Sequence, residues 1–190
     1  MAERGHVSMI VLAGARVRLR PLRSEEFDML RSARERADAT VSPGSFGDDE
    51  LRERIEQSGT LTGWGLALAI EADGDLVGQI QAYRAQLPRG VFGIGIELFD
   101  PDHRGKGYGT EAVAMLVRHL FDREEARRVE GGTTPDNAAM RRVFERLGFV
   151  EEGVQRQFLP AADGGGADCV MYGMTRNDYE GVKDHWTRTS

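Results

Sequence analysis

The stretch Asp100 to Thr110, Asp-Pro-Asp-His-Arg-Gly-Lys-Gly-Tyr-Gly-Thr, constrains this 190-residue chain more than any other. Before it, Phe92, Ile94, Ile96 and Leu98 alternate with other residues within Val91 to Phe99, the two-residue period of a β-strand. After it, Tyr108, Ala112, Val113, Leu116, Val117, Leu120 and Phe121 recur at helical spacing and form one apolar stripe. The junction therefore reads as strand, glycine-rich turn, helix. A helix entered this way leaves its first N–H groups without intrahelical partners, and Gly105, Gly107 and Gly109 remove the side chains that would keep a ligand from them. The helix dipole adds positive potential at the same point, and Arg104 and Lys106 add full charges. An isolated Gly-x-Gly is more often only a tight turn. Here the basic residues and the flanking strand and helix favour a phosphate-bearing ligand.

The rest of the chain supplies a sheet around that junction. Ser8 to Ala15 and Ala15 to Arg23 read as two strands, the second handing over at Ser24-Glu25-Glu26 to a helix that reaches about Ala37, with Phe27, Leu30, Ala33 and Ala37 inward. Asp38 to Gly47 is a loop, and Asp48 is expected to cap a second helix carrying Leu51 and Ile55. Trp64 to Glu71 and Leu76 to Arg84 alternate on either side of Ala72-Asp73-Gly74-Asp75, a hairpin signal. Arg128 to Thr133 is a strand expected to lie parallel to Val91 to Phe99, since a strand-helix-strand unit closes that way. Asp136-Asn137 opens a helix with Met140, Val143, Phe144 and Leu147 inward and Gly148 as its C-cap. Val150 to Leu159 and Asp168 to Thr175 are two final strands, and Asp184 to Ser190 reads as a frayed end.

Bulk properties narrow the classes. The length suits one domain over residues 1–190, with a core from about 15 to 180. A hydrophobic fraction of 40% with 29% charged residues is ordinary for a globular chain. A formal net charge of -6 argues against nucleic acid as the main partner and mildly favours a cationic substrate. The one cysteine, Cys169, excludes an intrachain disulfide and a cysteine-based zinc site, which agrees with a reducing cytoplasm. The histidines show no metal-ligand spacing, so no metal is expected. No run approaches a membrane span.

Two familiar phosphate motifs do not fit. The Walker pattern needs Lys and then Ser or Thr after its last glycine, and the dinucleotide fingerprint needs three glycines in the first turn of a parallel sheet. The spacing present, Arg104-x-x-Gly107-x-Gly109, resembles the pyrophosphate-binding motif of the GNAT superfamily of acyl-coenzyme A dependent N-acyltransferases. Asn137-x-x-Met140-x-x-Val143-Phe144-Glu145-Arg146-Leu147-Gly148-Phe149 resembles that family's second motif. Leu12 to Leu22, Leu-Ala-Gly-Ala-Arg-Val-Arg-Leu-Arg-Pro-Leu, is similar to the opening of the Rim-type subgroup of ribosomal-protein N-terminal acetyltransferases.

The resemblance implies a mixed αβ GNAT fold: a mostly antiparallel central sheet with helices on both faces, the first two helices bordering the acceptor pocket. It implies acetyl-CoA as acyl donor, held by the N–H groups of Arg104, Gly105, Lys106, Gly107, Tyr108, Gly109 and Thr110. Asn137 would hydrogen-bond the pantetheine arm or a bridging water, or act as a helix cap, and both can hold. The backbone at Leu98 and Phe99 would hold the thioester carbonyl. The acceptor is a small-molecule amine or a peptide N-terminus, and a homodimer is compatible with all of this. Where many members carry a tyrosine that protonates the leaving thiolate, this chain has Phe144, so Tyr172 or Tyr108, water, or no group at all takes that part. Strand alternation puts Gly93, Gly95, Glu97 and Phe99 on an open face, where Glu97 either accepts the proton of the attacking amine or binds its cationic form. A catalytically silent coenzyme A binding or sensor module of the same fold is the alternative.

Overall fold

In the computed structural model, residues 9–38, 47–85, 89–161 and 164–186 are described, the side chains at 37 and 38 excepted. Two short strands, β1 (Leu12–Ala13) and β2 (Arg18–Arg20), lead through a tight helical turn, Ser24–Glu26, into α1 (Phe27–Asp38) and α2 (Asp48–Gln57). Then come β3 (Gly65–Ala72), β4 (Asp75–Arg84), β5 (Val91–Leu98), α3 (Tyr108–Arg123), β6 (Arg128–Thr133), α4 (Ala138–Leu147), β7 (Val150–Pro160), β8 (Gly166–Thr175) and α5 (Arg176–Trp186).

All eight strands join one sheet in the order β1-β2-β3-β4-β5-β6-β8-β7. Every pairing is antiparallel except β5 with β6, the parallel pair expected of a strand-helix-strand unit. At the β3–β4 hairpin Asp73 and Gly74 have φ of 53° and 90°. That double positive φ matches the twist of the strands it joins and explains why Asp-Gly stands there.

The sheet separates two apolar layers. On one face Leu66, Leu68 and Ile70 of β3 meet Val113, Leu116, Val117 and Leu120 of α3, all at 0% exposure. On the other face Ala69, with Leu76, packs on Leu30 of α1 and on Leu51 and Ile55 of α2. The Leu-Ala-Leu-Ala-Ile alternation of β3 thus puts large residues toward α3 and small ones toward the α1–α2 pair.

Several expectations need correction. Asp48 is the first residue of α2 rather than its cap; Gly47 precedes it, with Glu50 Oε2 accepting the Gly47 N–H, and Asp48 instead lies 3.8 Å and 3.5 Å from the guanidinium groups of Arg31 and Arg34. The chain end is not frayed at Asp184, because α5 runs to Trp186. Tyr179 stacks on Phe121 with ring centroids 4.6 Å apart, and Trp186 packs against Tyr179. Tyr179, Val182 and Trp186 are too thin a stripe to read as a helix, and the contact with Phe121 that secures it is remote in sequence. The first strand pair is shorter than its alternation suggested. The expectations for residues 1–8, 39–46, 86–88, 162–163 and 187–190 lie outside the described residues.

Candidate active site

The Asp100 to Thr110 junction folds as a cradle. Asp100 accepts the Asp102 N–H at 2.8 Å and closes a short turn, and Gly105 and Gly107 then take φ of 75° and 86°, which side chains other than glycine rarely adopt. Gly107 caps α3, whose first intrahelical bond is Glu111 N–H to Gly107 O at 3.1 Å. The N–H groups of Tyr108, Gly109 and Thr110 therefore have no partner within the helix. Arg104 is different from what the resemblance implied: its N–H donates to Pro101 O at 3.0 Å, so only its exposed side chain remains for a ligand.

A residue not singled out by sequence joins this cradle. Arg16, in the β1–β2 turn, brings Nη1 within 3.0 Å of where a Cβ on Gly107 would stand. Its position is fixed by Glu111, a buried carboxylate in the first turn of α3 that accepts the Arg16 N–H at 3.0 Å. Only the opening motif hinted at it, since Arg16 and Gly107 are far apart in the chain. A hollow of about 370 Å³ beside Gly107 and Thr110 is lined by Arg16, Arg118 and Arg146 together with Glu111, a setting with a net positive balance.

Next to the cradle the sheet opens. β5 and β6 pair only through Val91↔Arg128, Phe92↔Val129 and Gly93↔Glu130, after which β6 continues with β8 alone. At the two ends of the β4–β5 ladder, Phe99 N–H donates to Val77 O and Ala85 N–H to Val91 O, both at 3.0 Å. Antiparallel alternation then turns the N–H groups of Gly93, Gly95 and Glu97 toward β4 and those of Ile96 and Leu98 toward the gap. Of the expected carbonyl-binding pair, Leu98 faces the gap and Phe99 does not. The gap holds a cavity of about 170 Å³ lined by Ile96, Gly132, Thr133, Asn137, Met140 and Phe144 among others. Asn137 does cap α4, accepting the Met140 N–H at 3.1 Å through Oδ1, which leaves its amide N–H groups to donate.

The two tyrosines considered as acids stand apart from this cavity's lining. Tyr172 is fully buried on β8 behind Phe144, with ring centroids 4.8 Å apart. Its hydroxyl donates to Glu151 Oε2 at 3.1 Å and accepts from Arg141 Nε at 3.1 Å. Tyr108 sits at the start of α3, its hydroxyl 3.4 Å from Asp73.

On the α1–α2 side of β5 lies the open face. Gln79, Gln81 and Tyr83 of β4 stand opposite Glu97, Gly95 and Gly93 in register. Gln79 donates from Nε2 to Glu97 Oε2 at 3.1 Å, and all of Gln79, Gln81 and Glu97 are half-buried. Arg54 of α2 reaches into the same row and donates to Gln81 Oε1. It was legible in principle: three residues after the inward Leu51 and one before the inward Ile55, it stands on the buried face of its helix.

A family model described as Acetyltransferase (GNAT) domain matches residues 16–150. The chain is 32% identical over 113 residues to the SPbeta prophage-derived uncharacterized N-acetyltransferase YokL of Bacillus subtilis (strain 168), covering 60% of this chain and 63% of that protein. It spans less than two thirds of the length of the curated relatives it matches first. Among solved structures, a putative acetyltransferase from T. thermophilus superposes with a TM-score of 0.74 at 26% identity, over 95% of this chain and 97% of that one. Mycobacterium smegmatis RimJ in complex with CoA-disulfide gives a TM-score of 0.74 at 25% identity, over 94% and 90%.

Proposed function

The chain belongs to the GNAT acetyltransferase family, and from that premise we propose that it moves an acetyl group from acetyl-CoA to a primary amine, a small molecule or a protein N-terminus, by direct attack in a ternary complex. The observation that carries this reading is the placement of the β5–β6 gap beside a helix N-terminus whose first N–H groups lack intrahelical partners, with Arg16 against Gly107 and with Arg104 and Lys106 in the turn that leads into it. The residues fit the donor: a glycine cradle for its pyrophosphate and a narrow cavity for its pantetheine arm. Acetyl-CoA supplies an activated acyl group as a thioester.

The remaining work belongs to the chain. The N–H groups of Tyr108, Gly109 and Thr110 hold phosphate oxygens, with Gly105, Lys106 and Gly107 giving the approach. The amide of Asn137 donates to the pantetheine arm. The Leu98 N–H, aimed into the gap, favours the negative charge that grows on the carbonyl oxygen as the amine attacks. Glu97, on the opposite face of the same strand, takes the amine's proton directly or through one water, or holds the ammonium before it is lost. Holding both reactants together supplies much of the rate. Direct attack is favoured over an acyl-enzyme because the single cysteine, Cys169, is buried and burial pushes its thiol up, away from the reactive thiolate.

Phe144 has no proton to give, the Tyr172 hydroxyl is engaged by Glu151 and Arg141, and the Tyr108 hydroxyl is directed to Asp73, outside the lining of the gap. The thiolate is therefore protonated by water or leaves unassisted. That same feature supports the second reading, a silent coenzyme A binding module. Thiol release from acetyl-CoA, followed against a panel of amines, separates the two. Amine-dependent release supports transfer; coenzyme A binding with no release from any amine supports the silent module.

A further inference from the structure

Resting on the acyl-transfer reading, we propose that the acceptor is an amine that itself carries a carboxylate a few bonds from its nitrogen, the carboxylate being held by Arg54 while Glu97 receives the amine. Arg54 lies in the layer between α2 and the sheet. It donates to Gln81, whose neutral amide oxygen takes a single N–H, and its Nε is out of contact with solvent and without a hydrogen-bond partner. A guanidinium has five N–H donors and cannot shed its charge at neutral pH. Among the described residues no carboxylate stands within ion-pair distance of it.

The charges near Arg54 sharpen the point. Burial pulls its pKa down, and the opposing influences come from Tyr83 and Glu97, whose side chains share the row with Gln81. Glu97 is near enough to be felt, yet it accepts its hydrogen bond from Gln79 and forms no ion pair with Arg54. A bound carboxylate would supply the missing acceptors in bidentate geometry. Gly95 and Gly93 lie opposite Gln81 and Tyr83, so no β5 side chain fills the floor beneath; the Gln81 amide and the Tyr83 ring lie over it, 3.2 Å and 3.9 Å from where Cβ atoms on Gly95 and Gly93 would stand.

Spacing sets the size of the acceptor. Glu97 pairs with Gln79 and Gly95 with Gln81, so the carboxylate that receives the amine and the amide that holds Arg54 stand one same-face step apart, about 7 Å along the strand. That step limits the acceptor to one small enough for its amine and carboxylate to lie side by side on this face of the sheet. A polyamine or polycationic amino sugar meets Arg54 as a like charge, so the local charge overrides the mild preference for cations suggested by the net charge of -6.

The test uses the whole chain with saturating acetyl-CoA and measures thiol release for glycine, β-alanine, aspartate and glutamate, each beside its amide. Peptides led by Asp or by Asn form a second arm. The expected result is a kcat/KM at least about tenfold higher for the carboxylates than for their amides, the scale of one charge-assisted hydrogen bond, with Arg54→Met bringing the ratio to about one by losing only the acids. Preference for the Asp-led peptide over the free acids makes the source an N-terminus; the reverse makes it a free amino acid. Equal rates for acids and amides, or a ratio unchanged in Arg54→Met, overturn the proposal. If no amine is acetylated, calorimetric titration of the coenzyme A-saturated protein with β-alanine and glutamate decides: binding lost in Arg54→Met upholds the anion site while acyl transfer fails, and no binding overturns both. The melting temperature of Arg54→Met should not fall, and a fall matching that of Arg20→Met would make Arg54 structural and overturn its assignment to a ligand.

Discussion

Arg20 and Arg54 both lie in the layer between the sheet and the α1–α2 pair, and their surroundings are opposite. Arg20 is 4% exposed and uses four of its five N–H donors: Nη2 and Nη1 donate to both oxygens of Glu26 at 2.5 Å and 3.1 Å, Nε donates to Glu71 at 2.5 Å, and Nη1 also reaches Pro21 O. Burial opposes its charge, but the hydrogen bonds to Glu26 and Glu71 outweigh that and raise its pKa. Arg54 has the burial without the carboxylates, and its pKa moves down. A buried charge with excellent partners anchors β2 to β3 and to the entry of α1; a buried charge without them is poised for a partner that arrives later. Stability is concentrated at one end of this layer and recognition at the other.

The largest effect expected from this contrast is on stability. Arg20→Met leaves Glu26 half-buried without its cation and Glu71 with only the more distant Arg23, 3.6 Å away, and should cost about 2–3 kcal/mol in urea denaturation, whereas Arg54→Met should cost nothing or stabilise. Equal losses from the two substitutions would erase the distinction. The same pair can be separated by acid. The hydrogen bond from Arg20 holds the Glu71 carboxyl below its ordinary 4.5, so Glu71 contributes stability that is fully present above that value and lost as pH falls through the lower folded one. Denaturation midpoints measured between pH 6 and pH 3 should fall in the wild type with a component absent from Arg20→Met.

A smaller effect is expected at the donor side. Gly107→Val puts a branched side chain at φ 86° and against Arg16 Nη1, so calorimetry should show coenzyme A affinity reduced by about tenfold or more with little change in the affinity for amine. Unchanged affinity in a folded variant would remove the cradle from the phosphate site. The smallest effect belongs to Tyr172→Phe. Because its hydroxyl sits between Arg141 and Glu151, which are themselves 3.3 Å apart, the variant should lose about 1 kcal/mol of stability and keep its kcat. A large drop in kcat at unchanged KM would instead return the acid role to Tyr172.

Local signals explain which parts of this were legible in the sequence. The Gly107 turn, the Asp73-Gly74 hairpin and the Asn137 and Gly148 caps of α4 are set by a few adjacent residues whose backbone demands only certain side chains, and the structure has each of them where the sequence places it. Strand alternation likewise puts Glu97 on the open face. What escapes the sequence depends on contacts between distant segments. Arg16 reaches the cradle only because Glu111 holds the β1–β2 turn over α3, and α5 is fixed by the stacking of Tyr179 on Phe121. Motif position alone gives the Arg104 and Phe99 N–H groups to the ligand, and only the turn to Pro101 and the ladder to Val77 reveal that they are taken. Arg54 sits between: its inward place on α2 is visible in the sequence, but its missing carboxylate is not.

The most direct test of acyl transfer at this site is a two-substrate initial-rate study, varying acetyl-CoA at several fixed concentrations of the best amine. On the proposed reading the donor and the amine lie on opposite sides of β5, so both are bound together and double-reciprocal lines should intersect. Parallel lines would mean that the acetyl group is transferred to the protein and coenzyme A departs before the amine arrives, and would contradict direct attack in a ternary complex.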